Sequence, residues 1–322
     1  MTSLINQTEL KSFVGWIFKN KRLKTNFILS AIFLSLIPLS IDLIQTQPLV
    51  RPVNYQFLPP SDYPFNPAKI PAPAVTARGV IVIDTDSKAI LYQKNPDLKL
   101  LPASTAKIMT ALIVLENYSL NDVLTIDPLD TEPVTMDLQP GEKITVENLL
   151  YGLLVGSAND AALALARHWP TGEAGFIGAM NLKAKSLHLF NTQFTNPVGF
   201  DNFGQYTTVH DLSLLTAEAM QSTVFKRLVS TISITVTDVD HTVSHELTNL
   251  NLLLGQVAGL SGVKTGFTQL AGECLVTLVQ RQNHRIITVV LGSSDRFGDT
   301  RQLIDWVFAN FNRQELSPAI HS

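Results

Sequence analysis

Hydrophobic and polar positions follow three regimes along this chain. From Phe27 to Ile41 apolar and small residues run unbroken, with Lys19, Lys21, Arg22 and Lys24 just before them and Asp42 just after. Basic residues stay on the cytoplasmic side of a membrane, so this order predicts an outward-facing remainder. The run fits a short membrane anchor or a signal peptide. The absence of a small-x-small cleavage site directly after Ile41 favours the retained anchor. The second regime, residues 46–77, holds eight prolines. Proline fixes φ and lacks an N–H, so this stretch reads as a semi-extended linker.

The third regime begins at Arg78, where periodic patterns first appear. Gly79–Asp84 and Ala89–Tyr92 read as two strands of a hairpin. After Pro102, Ile108, Leu112 and Leu115 recur at helical spacing. Further helices are predicted at Val146–Leu154, Ala161–His168, Phe176–Leu187 and Val209–Met220. Strands return at Thr231–Thr237, Gly262–Gly266, Cys274–Gln280 and Arg285–Leu291, with a turn at Gln282-Asn283-His284. A helix over Leu303–Phe311 closes the pattern. Strands, a helical block, strands and a last helix define an α+β class: an antiparallel sheet flanked by terminal helices, with an all-helical subdomain inserted. The expected organisation is a cytoplasmic segment 1–26, an anchor or signal segment 27–45, the linker 46–77, a domain 78–313 and a tail 314–322.

Composition narrows the chemistry. The 322 residues are 45% hydrophobic and 16% charged, enough apolar material to exclude disorder throughout. Twenty-four basic against 27 acidic residues leave no basic excess for nucleic acid. The single Cys274 excludes an intrachain disulfide and a cysteine-based zinc cluster. No His, Asp or Glu grouping has metal-ligand spacing, and neither a metal nor a cofactor is expected. Cys274 reads as a small strand residue, and His210-Asp211 as a helix start with Asp as its cap.

Four clusters carry candidate chemistry, and each has a plain structural alternative. Ser104 and Lys107, in Pro102-Ala103-Ser104-Thr105-Ala106-Lys107, share a helical face. A serine becomes a nucleophile when a neighbouring base takes its proton, and a lysine is such a base once its pKa is lowered. Backbone N–H groups at that helix start are available to an oxyanion. The alternative is an N-cap serine beside a surface lysine. Ser261-Gly262-Val263-Lys264 has the same spacing, but on a predicted strand, where i and i+3 face opposite sides. Ser157-Ala158-Asn159, between two apolar helices, could send a proton relay and an amide donor into one cleft, or simply cap a helix. Lys264-Thr265-Gly266 supplies a charge, a hydroxyl and a bare position where another element approaches a strand, or is an edge strand with a solvated lysine. Arg296 could clamp a carboxylate, or form a surface ion pair.

The order Ser-x-x-Lys, Ser-x-Asn, Lys-Thr-Gly, on a helix, an inter-helix loop and a strand, resembles the motif set of penicillin-binding proteins and class A β-lactamases. From Arg78 to Phe311 the chain resembles the low-molecular-weight penicillin-binding proteins, the D-alanyl-D-alanine carboxypeptidases of the serine peptidase S11 type. The resemblance rests on Leu101–Leu112, Leu153–Ala162, Asn191–Asp201 and Gly262–Thr268. It implies the transpeptidase-like fold, peptidoglycan stem peptides as substrate and β-lactam antibiotics as covalent inhibitors. It implies Ser104 as nucleophile, Lys107 as general base and Ser157 as proton relay to the leaving amine. Asn159 would hold the donor peptide. Lys264, Thr265 and Gly266 would form the substrate strand, with Arg296 assisting at the terminal carboxylate. The backbone N–H groups of Ser104 and Phe267 would form the oxyanion hole. The Asn191–Asp201 segment is expected to be structural. The chain departs from many members in leaving no room after the closing helix for a β-rich C-terminal domain and amphipathic helix, a role the N-terminal anchor could replace. Ala158 stands where class A β-lactamases have Asp, which argues against a β-lactamase. A D,D-endopeptidase, a β-lactamase and a penicillin-sensing or wall-binding module without turnover remain alternatives to the carboxypeptidase.

Overall fold

The computed structural model describes residues 63–129, 133–282 and 284–314. The apolar run 27–45, the segment before it, residues 46–62 and the tail from 315 lie outside these, as does Asn283 of the expected turn. Among the described residues no helix is long and apolar enough to cross a membrane.

The centre is a five-stranded antiparallel sheet. Its strands are β2 (Gly79–Asp84), β3 (Ile90–Lys94), β8 (Leu260–Thr268), β9 (Gly272–Arg281) and β10 (His284–Ser293), in the order β3-β2-β10-β9-β8. Alternation along β2 explains why all six of its residues are buried. Val80 and Val82 join Leu275, Val279, Ile286 and Val290 in a core against the last helix, whereas Ile81 and Ile83 face the helical block with Val276, Leu278, Ile287 and Val289. Each such fully buried aliphatic side chain is worth about 1.5–3 kcal/mol.

Between β3 and β8 the chain builds the helical block. A tight 3-10 turn, Ala103–Ala106, leads into α1 (Lys107–Asn117). There follow α2 (Val146–Tyr151), α3 (Asn159–Arg167), α4 (Gly172–Ser186), α5 (Val209–Ala219) and α6 (Thr223–Val229). Every residue of α1 from Lys107 to Val114 is buried, so this helix is the axis of the molecule. Two short ribbons, β4 (Val123–Thr125) with β5 (Lys143–Thr145) and β6 (Ser233–Thr237) with β7 (Ser244–Thr248), flank the block.

Three expectations change. One terminal helix, α7 (Arg296–Asn310), covers the sheet among the described residues, not helices from both ends. It starts at Arg296, before the expected Leu303, because the Asp295 carboxylate caps it by accepting from Gly298 N at 2.9 Å. The domain also begins before Arg78. β1 (Tyr63–Phe65) pairs with β11 (Asn312–Gln314), and Asp299 accepts from Thr76 N, Thr76 Oγ1 and Ala77 N at 2.8–3.0 Å. Pro64 is tolerated in β1 because a two-stranded ribbon leaves one backbone edge unpaired.

Candidate active site

The 3-10 turn is what joins Ser104 to Lys107. With three residues per turn, positions i and i+3 eclipse, and Lys107 Nζ lies 2.9 Å from Ser104 Oγ. The turn is pinned by Thr105 Oγ1 donating to Pro102 O at 2.6 Å. Ser104 is partly exposed, while Lys107 has no exposed surface at all. Its amine also reaches Asn159 Oδ1 at 2.7 Å and Val198 O at 2.9 Å. Burial holds its pKa well below the ordinary lysine value, the Lys264 cation lowers it further, and the Asp160 carboxylate partly opposes both.

The second motif is placed by an irregular helix end. The expected Val146–Leu154 helix stops as a regular α-helix at Tyr151 and widens into a π-type turn, Gly152–Gly156, a feature frequent at functional sites. Ser157 ends that turn in the left-handed region, with φ +60°. Such a conformation costs a non-glycine residue about 1–3 kcal/mol. Ser157 and Asn159 therefore do not lie side by side on an extended loop as expected. Ser157 Oγ meets Lys264 Nζ at 2.9 Å, while Asn159, the first residue of α3, meets Lys107.

The third element is the edge strand β8. Lys264 and Thr265 are buried. Lys264 is brought down to about 7, first by burial and then by the Arg296 cation. Its ammonium is not the solvated surface charge of the structural alternative, since it donates to Ser157 Oγ and to Thr265 O. Gly266 has the role expected of it: a Cβ there would sit 2.9 Å from Ser104 N and 3.0 Å from Ala103 Cβ. Arg296 Nη1 donates to Gly266 O at 2.9 Å, and Arg296 N donates to Glu273 Oε2. Phe267 follows, 61% exposed. Direct contacts thus join Ser104, Lys107 and Asn159, Ser157 and Lys264, and Gly266 and Arg296. Strand β8, which also carries Thr265 and Phe267, brings Lys264 and Gly266 together, with Gly266 against Ser104.

The other candidates lie elsewhere. Ser261 lines a cavity of about 430 Å³ beside Lys226, Arg227 and Arg285. Cys274 is fully buried opposite Gly266, its thiol raised to about 11 chiefly by burial. The cap of α5 is Thr208, whose hydroxyl accepts from Asp211 N. Asp211 turns inward, accepting from Asn191 N and Thr192 Oγ1. Among the described residues no group of three or more metal-binding side chains occurs.

One contributor escapes motif reading. The Asn191–Asp201 segment supplies the Val198 carbonyl that Lys107 touches. Asn196 Oδ1 accepts from Val198, Gly199 and Phe200 N–H groups at 2.8–3.2 Å and so shapes the turn. Gly199, at φ +97°, is required there, because a Cβ would fall 1.9 Å from Ala103 O. The only sequence signal was the Asn196-Pro197-Val198-Gly199 turn.

This geometry sets a partly exposed serine beside a buried lysine of lowered pKa on a penicillin-binding-protein-like fold. The D-alanyl-D-alanine carboxypeptidase family model matches residues 66–295, and the chain belongs to that family. A D-alanyl-D-alanine carboxypeptidase from a Streptomyces strain is 34% identical over 74% of this chain and 89% of its own length. The carboxypeptidase DacF of Bacillus subtilis is 31% identical over 74% of this chain, which spans 64% of that relative's length. A D-alanyl-D-alanine endopeptidase of Escherichia coli is 31% identical, over 73% of this chain and 78% of its own. Among solved structures, a Streptomyces DD-transpeptidase superposes with a TM-score of 0.71 at 33% identity. It covers 74% of this chain and all of that one.

Proposed function

We propose that this protein is a serine D-Ala-D-Ala carboxypeptidase that removes the terminal D-alanine of peptidoglycan stem peptides through an acyl-serine. The observation that carries this is the set of three acceptors around Lys107 Nζ. The Val198 carbonyl accepts only, and Asn159 presents its carbonyl oxygen. A neutral Lys107 donates its two protons to those atoms and turns its lone pair to the Ser104 hydroxyl.

As Ser104 Oγ bonds the penultimate D-Ala carbonyl carbon, its proton passes to Lys107. The resulting ammonium finds three acceptors already placed, so little reorganises. Ser104 N–H and Phe267 N–H receive the oxyanion. The C–N bond then breaks, and the leaving amine takes up the proton that Lys107 received, relayed through Ser157 Oγ, which Lys264 contacts; Lys107 is thereby neutral again. Asn159 holds the donor peptide, and Lys264, Thr265 and Arg296 receive the terminal carboxylate. Water then attacks the ester, giving its proton to the base as Ser104 is released. A β-lactam opens by the same attack, but its amine stays tethered and the ester persists. The endopeptidase reading, cleavage of cross-links by the same residues, is favoured by the E. coli relative above and by one from Pseudomonas aeruginosa named for that activity. Incubation with a pentapeptide muropeptide and with cross-linked dimers decides between them: alanine release without loss of dimers supports the carboxypeptidase.

The order of basic residues, apolar run and proline-rich stretch supports a single-pass anchor at 27–45 with the catalytic domain outside the cell membrane. Retention in the membrane fraction at high salt is the expected result. A mature N-terminus shortly after Ile41 would replace the anchor with a cleaved signal.

A further inference from the structure

The serine-peptidase chemistry proposed above, on which this inference rests, does not use one buried pair of titratable side chains, His245 on β7 and Glu142 before β5. Their side chains are 3% and 0% exposed, and His245 Nε2 lies 2.8 Å from Glu142 Oε1. Burying two such groups is costly unless every polar atom has a partner. Here they do: His245 Nδ1 is 2.6 Å from Met136 O, and Glu142 Oε2 accepts from Gln139 N at 2.9 Å. A carbonyl oxygen only accepts, so His245 Nδ1 carries a proton toward Met136.

Met136 is a junction. Its N–H donates to both Asp160 carboxylate oxygens at 3.0 and 3.2 Å, and Leu138 N donates to the same group at 3.1 Å. Asn159 N donates to Val134 O at 2.7 Å. The Met136 side chain packs on Gly152, where a Cβ would fall 2.3 Å from its sulfur. Gly152 opens the turn that presents Ser157. One short segment, 134–142, therefore touches the backbone of Asn159, the Asp160 charge that acts on Lys107 and the turn before Ser157. The His245–Glu142 pair fixes that segment at Met136 O and Gln139 N.

We propose that His245 and Glu142 are positioning residues for acylation, acting through Met136 on Asn159, Asp160 and Ser157. Displacement of catalytic groups by about 1 Å costs on the order of a hundredfold in rate, whereas the carboxylate-binding strand β8 makes none of these contacts. The loss should therefore fall mainly on the chemical step, with a smaller share on initial binding because Asn159 also holds the donor peptide.

The test measures fluorescent-penicillin acylation, separating pre-covalent affinity from the acylation rate constant, alongside the thermal midpoint. His245→Phe removes both links. His245→Asn keeps a donor where Nδ1 stands, and His245→Gln keeps one where Nε2 stands. The expected result is a fall in the acylation rate constant of about tenfold or more for His245→Phe, a clearly smaller loss of affinity, and recovery of the rate to within about threefold of native in His245→Asn but not in His245→Gln. A folded His245→Phe that acylates at the native rate, or an affinity loss as large as the rate loss, overturns the proposal. If His245→Phe does not fold, the Asn and Gln variants decide, and equal rates in those two overturn it. Absence of labelling in the unsubstituted protein would instead sink the functional reading itself.

Discussion

Two segments of this chain share the form Ser-x-x-Lys and end up with unrelated surroundings. Ser104 and Lys107 sit across a 3-10 turn, and their side chains meet at 2.9 Å. Ser261 and Lys264 lie on β8, where the pairing register shifts between Leu260 and Val263, and their side chains have different neighbours. Lys264 accordingly crosses to Ser157, 107 residues away, while Ser261 lines a cavity with other basic residues. Spacing acquires chemical meaning only through the local backbone. The two lysines are both buried, yet their surroundings divide the labour. Lys107 has three acceptors and a lowered pKa, which suits a base. Lys264 has Ser157 and a backbone carbonyl, with Arg296 near enough to lower it, which suits a donor that receives an anion.

The largest separation between the segments should come from removing the hydroxyls. Ser104→Ala should abolish covalent penicillin labelling, whereas Ser261→Ala should label at the native rate. Gel fluorescence reads both. Next, Lys107→Gln should slow acylation by about 10²–10⁴, the usual worth of a general base, while stopped-flow traces still show initial binding. Gly266→Ala tests the close approach of β8 to the serine. With a Cβ only 2.9 Å from Ser104 N, either the strand or the turn must shift. Acylation should fall by on the order of a hundredfold, in a protein destabilised by about 1–3 kcal/mol.

Smaller effects distinguish the anion-binding half. Arg296→Ala should cost about 1.5–3 kcal/mol for substrates with a free terminal carboxylate. An amidated terminus should bind poorly to the native enzyme and show little further loss in the variant. Equal sensitivity of both enzymes to amidation would remove Arg296 from the site. The least effect is a pH trend in substrate affinity. Lys264, held at about 7, is cationic below that value and neutral above it. A carboxylate binds the cationic form, so affinity should weaken by up to about tenfold per pH unit above that value, with proton uptake on binding. Calorimetry in buffers of different ionisation enthalpy checks this, and the amidated ligand should show no such uptake.

How much of this was legible in the sequence depended on whether a side chain or a backbone atom does the job. Ser104, Lys107, Ser157, Asn159, Lys264 and Gly266 are visible because each is a residue type chosen for its side chain, or for lacking one. Val198 and Met136 are invisible because they contribute a carbonyl or an N–H that any residue owns. His245 was equally hidden, since it gains importance only when β7 places it beside Glu142. The sheet was readable from the short, near-continuous apolar runs of β2, β9 and β10 bounded by turn residues. Three-residue strands such as β4 and β5 carry too little periodicity, and the folded part of the proline-rich stretch is held by hydrogen bonds it donates to Asp299, more than 220 residues away.

The central claim is that Ser104, and not its spacing twin, is the nucleophile. The most direct measurement is mass spectrometry of the proteolysed, penicillin-treated, unsubstituted protein, mapping the adduct to a residue. A single adduct on the peptide carrying Ser104 is the predicted result. An adduct on Ser261 or Ser157, with Ser104 unmodified, would contradict the account.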